Sequence, residues 1–215
     1  MQEKPIIFNG EMVRAVLDGR KTQTRRVLKP QPTIDIAGAR PEYRSAYGFL
    51  RLADGGEYGP IRCPYGQHGD RLWVRETFAL HRIWNEQPPS NASDHQGIWW
   101  RADNKSRRPL NAFPGRIRPS IHMPRWASRL TLDVIDVRLE RVQEISEADA
   151  LAEGVEFTQR SYGPGWRDYR GAYGAWFVDA KNSFSTLWDS IYAKRGYSWE
   201  SNPWVWVVEF EGVVE

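Results

Sequence analysis

One cysteine, Cys63, stands in a chain of 215 residues, so an internal disulfide and a cysteine-rich zinc site are both excluded. Long apolar runs are absent too. No stretch approaches the roughly 18 residues that cross a bilayer, and the N-terminus has no signal-peptide pattern. A soluble, cytoplasmic protein without membrane contact is therefore expected. Lysine is scarce: arginine outnumbers it by roughly four to one, which favours planar, bidentate contacts to phosphate or carboxylate. Net charge is also small, at +3. There is no internal repeat and no low-complexity tract.

What is present is uneven. From Arg14 to Lys29 the basic residues meet only Asp18, and between Arg101 and Arg129 they meet only Asp103, whereas Asp133 to Glu156 is mostly acidic. Two basic blocks suit a surface for polyanions, or equally a pair of solvated loops. The eleven tryptophans are many for this length; some belong to the core, and any exposed ones can stack on bases.

Reading in order, Lys4 to Phe8 predicts a first strand, and Asn9 caps a helix over Glu11–Asp18 whose Met12, Ala15 and Val16 share an apolar face. Gly19 ends that helix by turning left-handed. A strand over Lys21–Leu28 follows, with Thr22, Thr24 and Arg26 on one side and Gln23, Arg25 and Val27 on the other. From Pro30 to Pro64 the chain reads as an irregular insertion or loose hairpin, strand-like only over Tyr47–Leu52. Gly69-Asp70 is a turn into a strand where Leu72 and Val74 oppose Trp73 and Arg75; Trp73, Arg75 and Glu76 are candidates to line a cleft. His68 has no partner at metal-ligand spacing, and no metal or cofactor is expected.

Asn85 to Pro119 reads as a second irregular region with a short strand at Trp99-Trp100-Arg101 and an Arg-rich loop. His122 lies close to Arg125 and Trp126, as a structural histidine or a ligand contact, ahead of a strand over Ser128–Val137. A short helix then runs from Ser146, its N-cap, through Asp149, which completes a capping box, to Gly154. Glu153 closes it, where the helix dipole disfavours a carboxylate. Tyr162–Tyr173 reads as a Gly/aromatic loop. Phe184, Leu187, Trp188, Ile191 and Tyr192 fall at helical spacing, with Gly196 as stop. Trp204–Phe210 is a closing strand. The expected fold is α+β, mainly β: a small closed barrel with a few short helices.

The chemistry concentrates at the helix-to-strand corner. Lys21 stands beside the Thr24 strand, and a lysine near a hydroxyl can bind an anion or activate the hydroxyl as a nucleophile. A positively charged surface turn suits the same residues. The Gly-Arg-Lys-Thr-x-Thr-x-Arg block, the Gly69-Asp70 turn before an apolar strand, the capped helix ending in Glu153-Gly154 and the closing Trp-Val-Trp-Val-Val-Glu-Phe strand together resemble an ASCH domain. Such domains are PUA-like β-barrels related to RNA-binding modules. The chain is similar to the larger bacterial and prophage-type ASCH proteins, as a single domain over 1–215 with insertions at about 30–60 and 83–119.

That resemblance implies nucleic-acid or nucleotide handling in a basic cleft around Lys21–Arg26. In one small branch it implies hydrolysis of N4-acetylcytidine by a lysine, a threonine and a glutamate, matched here by Lys21, Thr24 and Glu153. Lys21 would take a proton from Thr24, and Glu153 would orient the lysine or serve the leaving amine. Arg20, Arg26, Trp73, Arg75, Glu76, His122 and Arg125 are candidate ligand contacts. Three expectations follow: a protein that binds RNA, DNA or a modified nucleoside; an amidohydrolase of N4-acylated cytidine; or an interaction factor for an acidic protein.

Overall fold

The computed structural model describes residues 1–31, 47–51, 57–92, 97–102, 113–160, 163–171 and 176–214. In chain order, β1 (Glu3–Ile7) leads into α1 (Gly10–Leu17), and β2 (Gln23–Val27) follows. Next come β3 (Tyr47–Arg51), β4 (Glu57–Arg62), β5 (Arg71–Arg75), β6 (Phe78–His81), β7 (Ile98–Trp100) and β8 (Pro114–Arg118). The long β9 (Leu130–Arg141) precedes α2 (Glu147–Ala152). The chain closes with β10 (Phe157–Arg160), β11 (Gly163–Arg167), β12 (Trp176–Phe177), α3 (Ala180–Tyr192) and β13 (Trp204–Val214). A mainly-β α+β architecture is the result.

Local chemistry explains the helix ends. Asn9 accepts from the Met12 amide at 2.8 Å, and Gly19 takes φ +71° just past α1, a conformation that costs a residue with a Cβ. Ser146 and Asp149 form the reciprocal cap of α2, with the Asp149 amide donating to Ser146 Oγ at 3.0 Å.

The chain divides into two compact units. The first comprises Met1–Gly19, Gly69–Asp133 and Glu211–Glu215. In it β1 runs parallel to β5, and β5 pairs antiparallel with the start of β9. A second sheet, in the order β7-β6-β8, is antiparallel throughout. Phe78, Leu80, Met123 and Ala127 form a core beneath it, joined by Ile98 and Trp100.

The second unit comprises Arg20–His68 and Val134–Phe210. Here the rest of β9 neighbours β13, and β13 pairs antiparallel with β2. Val27, Val205 and Val207 from these strands bury against Val142, Ile145, Phe184 and Trp188. Helix α3 is held to α2 by the Glu147 carboxylate, which accepts from the Ala180 and Lys181 amides at 2.5 and 3.0 Å.

Three expectations need correction. None of the sheets closes on itself among the described residues, so the small closed barrel is replaced by four separate sheets. Pro114–Arg118, expected as loop, is a strand because β6 supplies its partner across a long sequence gap. The Gly/aromatic segment after Tyr162 likewise forms β11, paired to β10 and β12. The hairpin reading of the first insertion fits the β3–β4 pairing, but the expectation of a strand only over Tyr47–Leu52 missed β4, whose partner is β3. The remaining parts of the two insertions, 32–46, 52–56, 93–96 and 103–112, lie outside the described residues.

Candidate functional site

Lys21 occupies the two-residue gap between Gly19-Arg20 and β2, and the end of α2 is stitched onto it. The Thr22 amide donates to the Ala152 carbonyl at 2.9 Å, and Lys21 and Glu153 form an isolated antiparallel bridge. Arg20 reaches the Gly154 carbonyl at 3.0 Å while itself remaining exposed. Gly154 leaves the helix at φ +83°. This backbone arrangement brings two residues 132 positions apart into one buried pair.

The pair is close and buried. Lys21 Nζ donates to Glu153 Oε2 at 2.8 Å and to the Glu153 carbonyl at 2.9 Å. Lys21 is 2% exposed and Glu153 5%. Burial lowers the Lys21 pKa below its usual value; Glu153 opposes that shift, and Arg26 and Arg25 add to it. A cation on the last carbonyls of α2 also answers the helix dipole that disfavours Glu153 at that end.

Arg25 extends the pair into a network. Its side chain has no exposure; NH2 lies 2.9 Å from Glu140 Oε2 and 3.4 Å from Asp149 Oδ2, and NH1 lies 3.4 Å from Glu153 Oε1. Gln23, buried on the same side of β2, donates to the Asp149 carbonyl at 2.7 Å and to Oδ1 at 2.9 Å. Arg138 bridges Glu140, Glu209 and Asp149. Burial pushes the Asp149 carboxyl up, but hydrogen bonds from Gln23 and Ser146 and the Arg25 charge outweigh it, leaving a pKa of about 2. Burial works against it, but the hydrogen bonds that Arg138 donates to Glu140 and Glu209, with the charge of those carboxylates, raise its pKa.

Thr24 is 1% exposed and stands opposite Val208 on β13. Strand alternation puts it on the other face of β2 from Gln23 and Arg25, in company with the half-buried Arg26. Arg26 acts electrostatically on Lys21 and on Tyr65, whose hydroxyl is pushed up by burial. The structure thus joins Lys21 directly to Glu153, and sets Thr24 and Arg26 on the alternate face of the same strand.

The other predicted contacts belong to the first unit. Trp73 and Arg75 alternate with buried Leu72 and Val74 on β5. The Arg75 guanidinium lies 5.4 Å from the Trp73 ring centroid and donates to the Ser120 and Ile121 carbonyls. Glu76 is 2% exposed and holds Arg129 through contacts of 2.9 and 3.1 Å, while Arg129 lies 4.7 Å from the Trp100 centroid. Arg125 makes a two-pronged contact with Glu3 at 3.0 and 3.2 Å. His122 is exposed at the end of the 3-10 turn Ser120–His122.

Sequence reasoning did not single out Gln23, Arg25, Glu140 or Arg138. For Gln23 and Arg25 a signal existed, since both share the parity of Lys21. Nothing local in β9 announces which cation Glu140 meets. Family models, curated proteins and solved structures were compared with the chain. None matches.

Proposed function

We propose that this chain is a nucleoside- or nucleotide-binding protein of the PUA-like ASCH kind, with Lys21 and Glu153 as the groups that meet the base. The observation that carries this is the 2.8 Å Lys21–Glu153 pair, buried at a helix-to-strand corner. An ammonium donor beside a carboxylate acceptor matches the mixed donor and acceptor edge of a nucleobase, and burial makes each mismatched polar group costly. Arg20, next to Lys21 in sequence, and Arg26 at the far end of the same segment supply positive charge for a phosphate or for RNA or DNA continuing from that base.

The lowered Lys21 pKa favours a second reading, deacylation of N4-acetylcytidine-like nucleosides. A lysine that gives up its proton more readily is a better general base. In that reading the neutral amine takes the proton of an attacking hydroxyl, for which the resemblance nominates Thr24, although strand alternation sets Thr24 on the face of β2 away from Gln23 and Arg25. The acyl carbon–nitrogen bond then breaks, and the proton passes to the departing amine. Water completes the cycle by releasing the acyl group as a carboxylate. Glu153 holds the lysine in place through both steps.

Calorimetric titration with cytidine and N4-acetylcytidine, run beside chromatographic assay of turnover, tests both readings. Wild type is expected to bind, and Lys21→Met and Glu153→Gln each to weaken binding at least about tenfold, a loss of about 1.4 kcal/mol. Failure of wild type to bind or convert any nucleoside overturns the assignment, as does binding indifferent to both substitutions.

A further inference from the structure

The Gly/aromatic segment that becomes β11 carries the middle ring of a row of three. Strand register pairs Phe157 on β10 with Trp166 on β11, and Trp166 with Phe177 on β12, so the three side chains share one face of the sheet. The Phe157 and Trp166 ring centroids lie 4.7 Å apart. Trp166 rests in part on the core of its unit, while Phe157 is 51% exposed. Gln159 and Pro164, the cross-strand pair two residues along the same face, are exposed as well. An antiparallel sheet with water on one side presents polar residues there, yet of these five Gln159 alone is polar. The opposite face is closed by Trp176, because a Cβ on Gly165 would stand 3.0 Å from Trp176 Cβ.

Charge does not select the occupant of the aromatic face. Arg167 pairs with Glu156 at 2.9 Å, Arg170 pairs with Asp168 at 2.7 Å, and Asp179, just after β12, caps α3. The rings select it. Flat apolar rings in register across three strands suit bases, each of which offers a π-face. Arg170 adds a guanidinium 5.6 Å from the Phe177 centroid on a side chain that is 60% exposed. Position argues for the same occupant. Phe157 follows Glu153 by four residues of one unit, so their Cα atoms are at most about 14 Å apart, the rise of about four stacked nucleotides. Between them, exposed Arg20 donates to the Gly154 carbonyl at 3.0 Å. We propose that this aromatic row stacks the bases of a single-stranded nucleic acid continuing from the base at Lys21 and Glu153, with Arg20 and Arg170 on its phosphates. The inference rests on the nucleoside-binding reading and makes the ligand of that site a strand rather than a free nucleoside.

The test sets anisotropy titration of a labelled cytidine hexaribonucleotide beside calorimetric titration of cytidine, both with the full chain. Wild type is expected to bind the hexamer at least about tenfold more tightly than cytidine. Phe157→Leu keeps an apolar side chain and removes the ring. It is expected to weaken the hexamer about tenfold, in line with the loss of one base–aromatic stack, and to leave cytidine unchanged. Phe157→Tyr is expected to bind the hexamer as wild type does. The site is exposed, so the circular dichroism spectrum is expected to stay the same in both variants. Lys21→Met weakens both ligands. The proposal is overturned if the hexamer binds no better than cytidine, or if Phe157→Leu leaves its affinity unchanged; cytidine binding in either case keeps the nucleoside reading. It is equally overturned if Phe157→Leu weakens both ligands alike, which makes the ring structural, or if it abolishes dimerisation in sedimentation and spares the hexamer, which makes the occupant a second copy. Failure of cytidine to bind, with the hexamer still weakened by Phe157→Leu, overturns the nucleoside reading and supports the row as a base-stacking surface.

Discussion

At the scale of single residues, Arg25 and Asp149 decide how the Lys21–Glu153 pair is held. The Arg25 guanidinium touches Glu140, Asp149 and Glu153 together. Removing its charge takes one partner from each, while Lys21 still holds Glu153 and Arg138 still holds Glu140 and Asp149, and a lost hydrogen bond to a charged group costs about 1.5–3 kcal/mol. Arg25→Met is therefore expected to destabilise the protein by that order in urea unfolding, with Arg25→Lys intermediate because a point charge lacks the second prong. Asp149 acts through pH. Its folded pKa of about 2 lies below the ordinary 3.8, so the unfolded chain binds its proton first as pH falls. Its contribution is fully present above about pH 4 and disappears as pH drops through about 2. Discounted for its partial exposure, that contribution is about 1 kcal/mol. The stability gap between wild type and Asp149→Asn is expected to be visible at pH 6 and to shrink towards pH 2. Lys21 carries the opposite proton balance to a stabilised cation. Its lowered pKa means that the unfolded chain holds the proton more tightly, so its contribution rises with pH as the ordinary 10.5 is approached.

At the scale of elements, α2 is the part whose loss would dismantle the site, since its six residues deliver Glu153 to Lys21. So short a helix depends on its ends. Ser146→Ala removes the acceptor for the Asp149 amide, and Gly154→Ala places a Cβ at φ +83°. Each is expected to cost about 1 kcal/mol in thermal unfolding. Both are also expected to weaken nucleoside binding, because the carboxylate is carried on the strand-like end of that helix. These caps were legible in the sequence because a cap is a local event: Asn9, Gly19, Ser146, Asp149 and Gly154 act within a few residues of their own positions. The helical spacing of Phe184, Leu187 and Trp188 was legible for the same reason. Strands β4, β8 and β11 were not, since each is stabilised by a partner that local composition does not name, and Gly163, Pro164 and Gly165 read as a loop until β10 and β12 flank them. In the candidate site, the closeness of Lys21 and Glu153 was suggested by resemblance alone. The parity of β2 was readable, but the carboxylates that Gln23 and Arg25 would meet on α2 and β9 were not.

At the scale of the whole molecule, the arginine-rich composition describes internal pairing as much as an outward field. Arg25, Arg71, Arg125, Arg129, Arg138 and Arg167 each sit within 4 Å of a carboxylate, and Arg75 is spent on carbonyls. A guanidinium already neutralised releases few counterions from a phosphate chain. The salt dependence of oligonucleotide binding therefore measures how much of the composition faces outward. For single strands the logarithm of affinity falls with the logarithm of salt at a slope of about −0.7 per phosphate contact. Engagement of Arg20, Arg26 and one or two neighbours predicts a slope of about −2 to −3. Using the two basic blocks in full, fourteen lysines and arginines, would give a slope of about −10. Titration of oligouridylate binding between low and physiological salt distinguishes these. The shallow slope locates recognition at one base and its adjoining phosphates, consistent with a nucleoside site at Lys21. The steep slope would make the chain a general polyanion binder and would move the centre of its function from the buried pair to its basic segments.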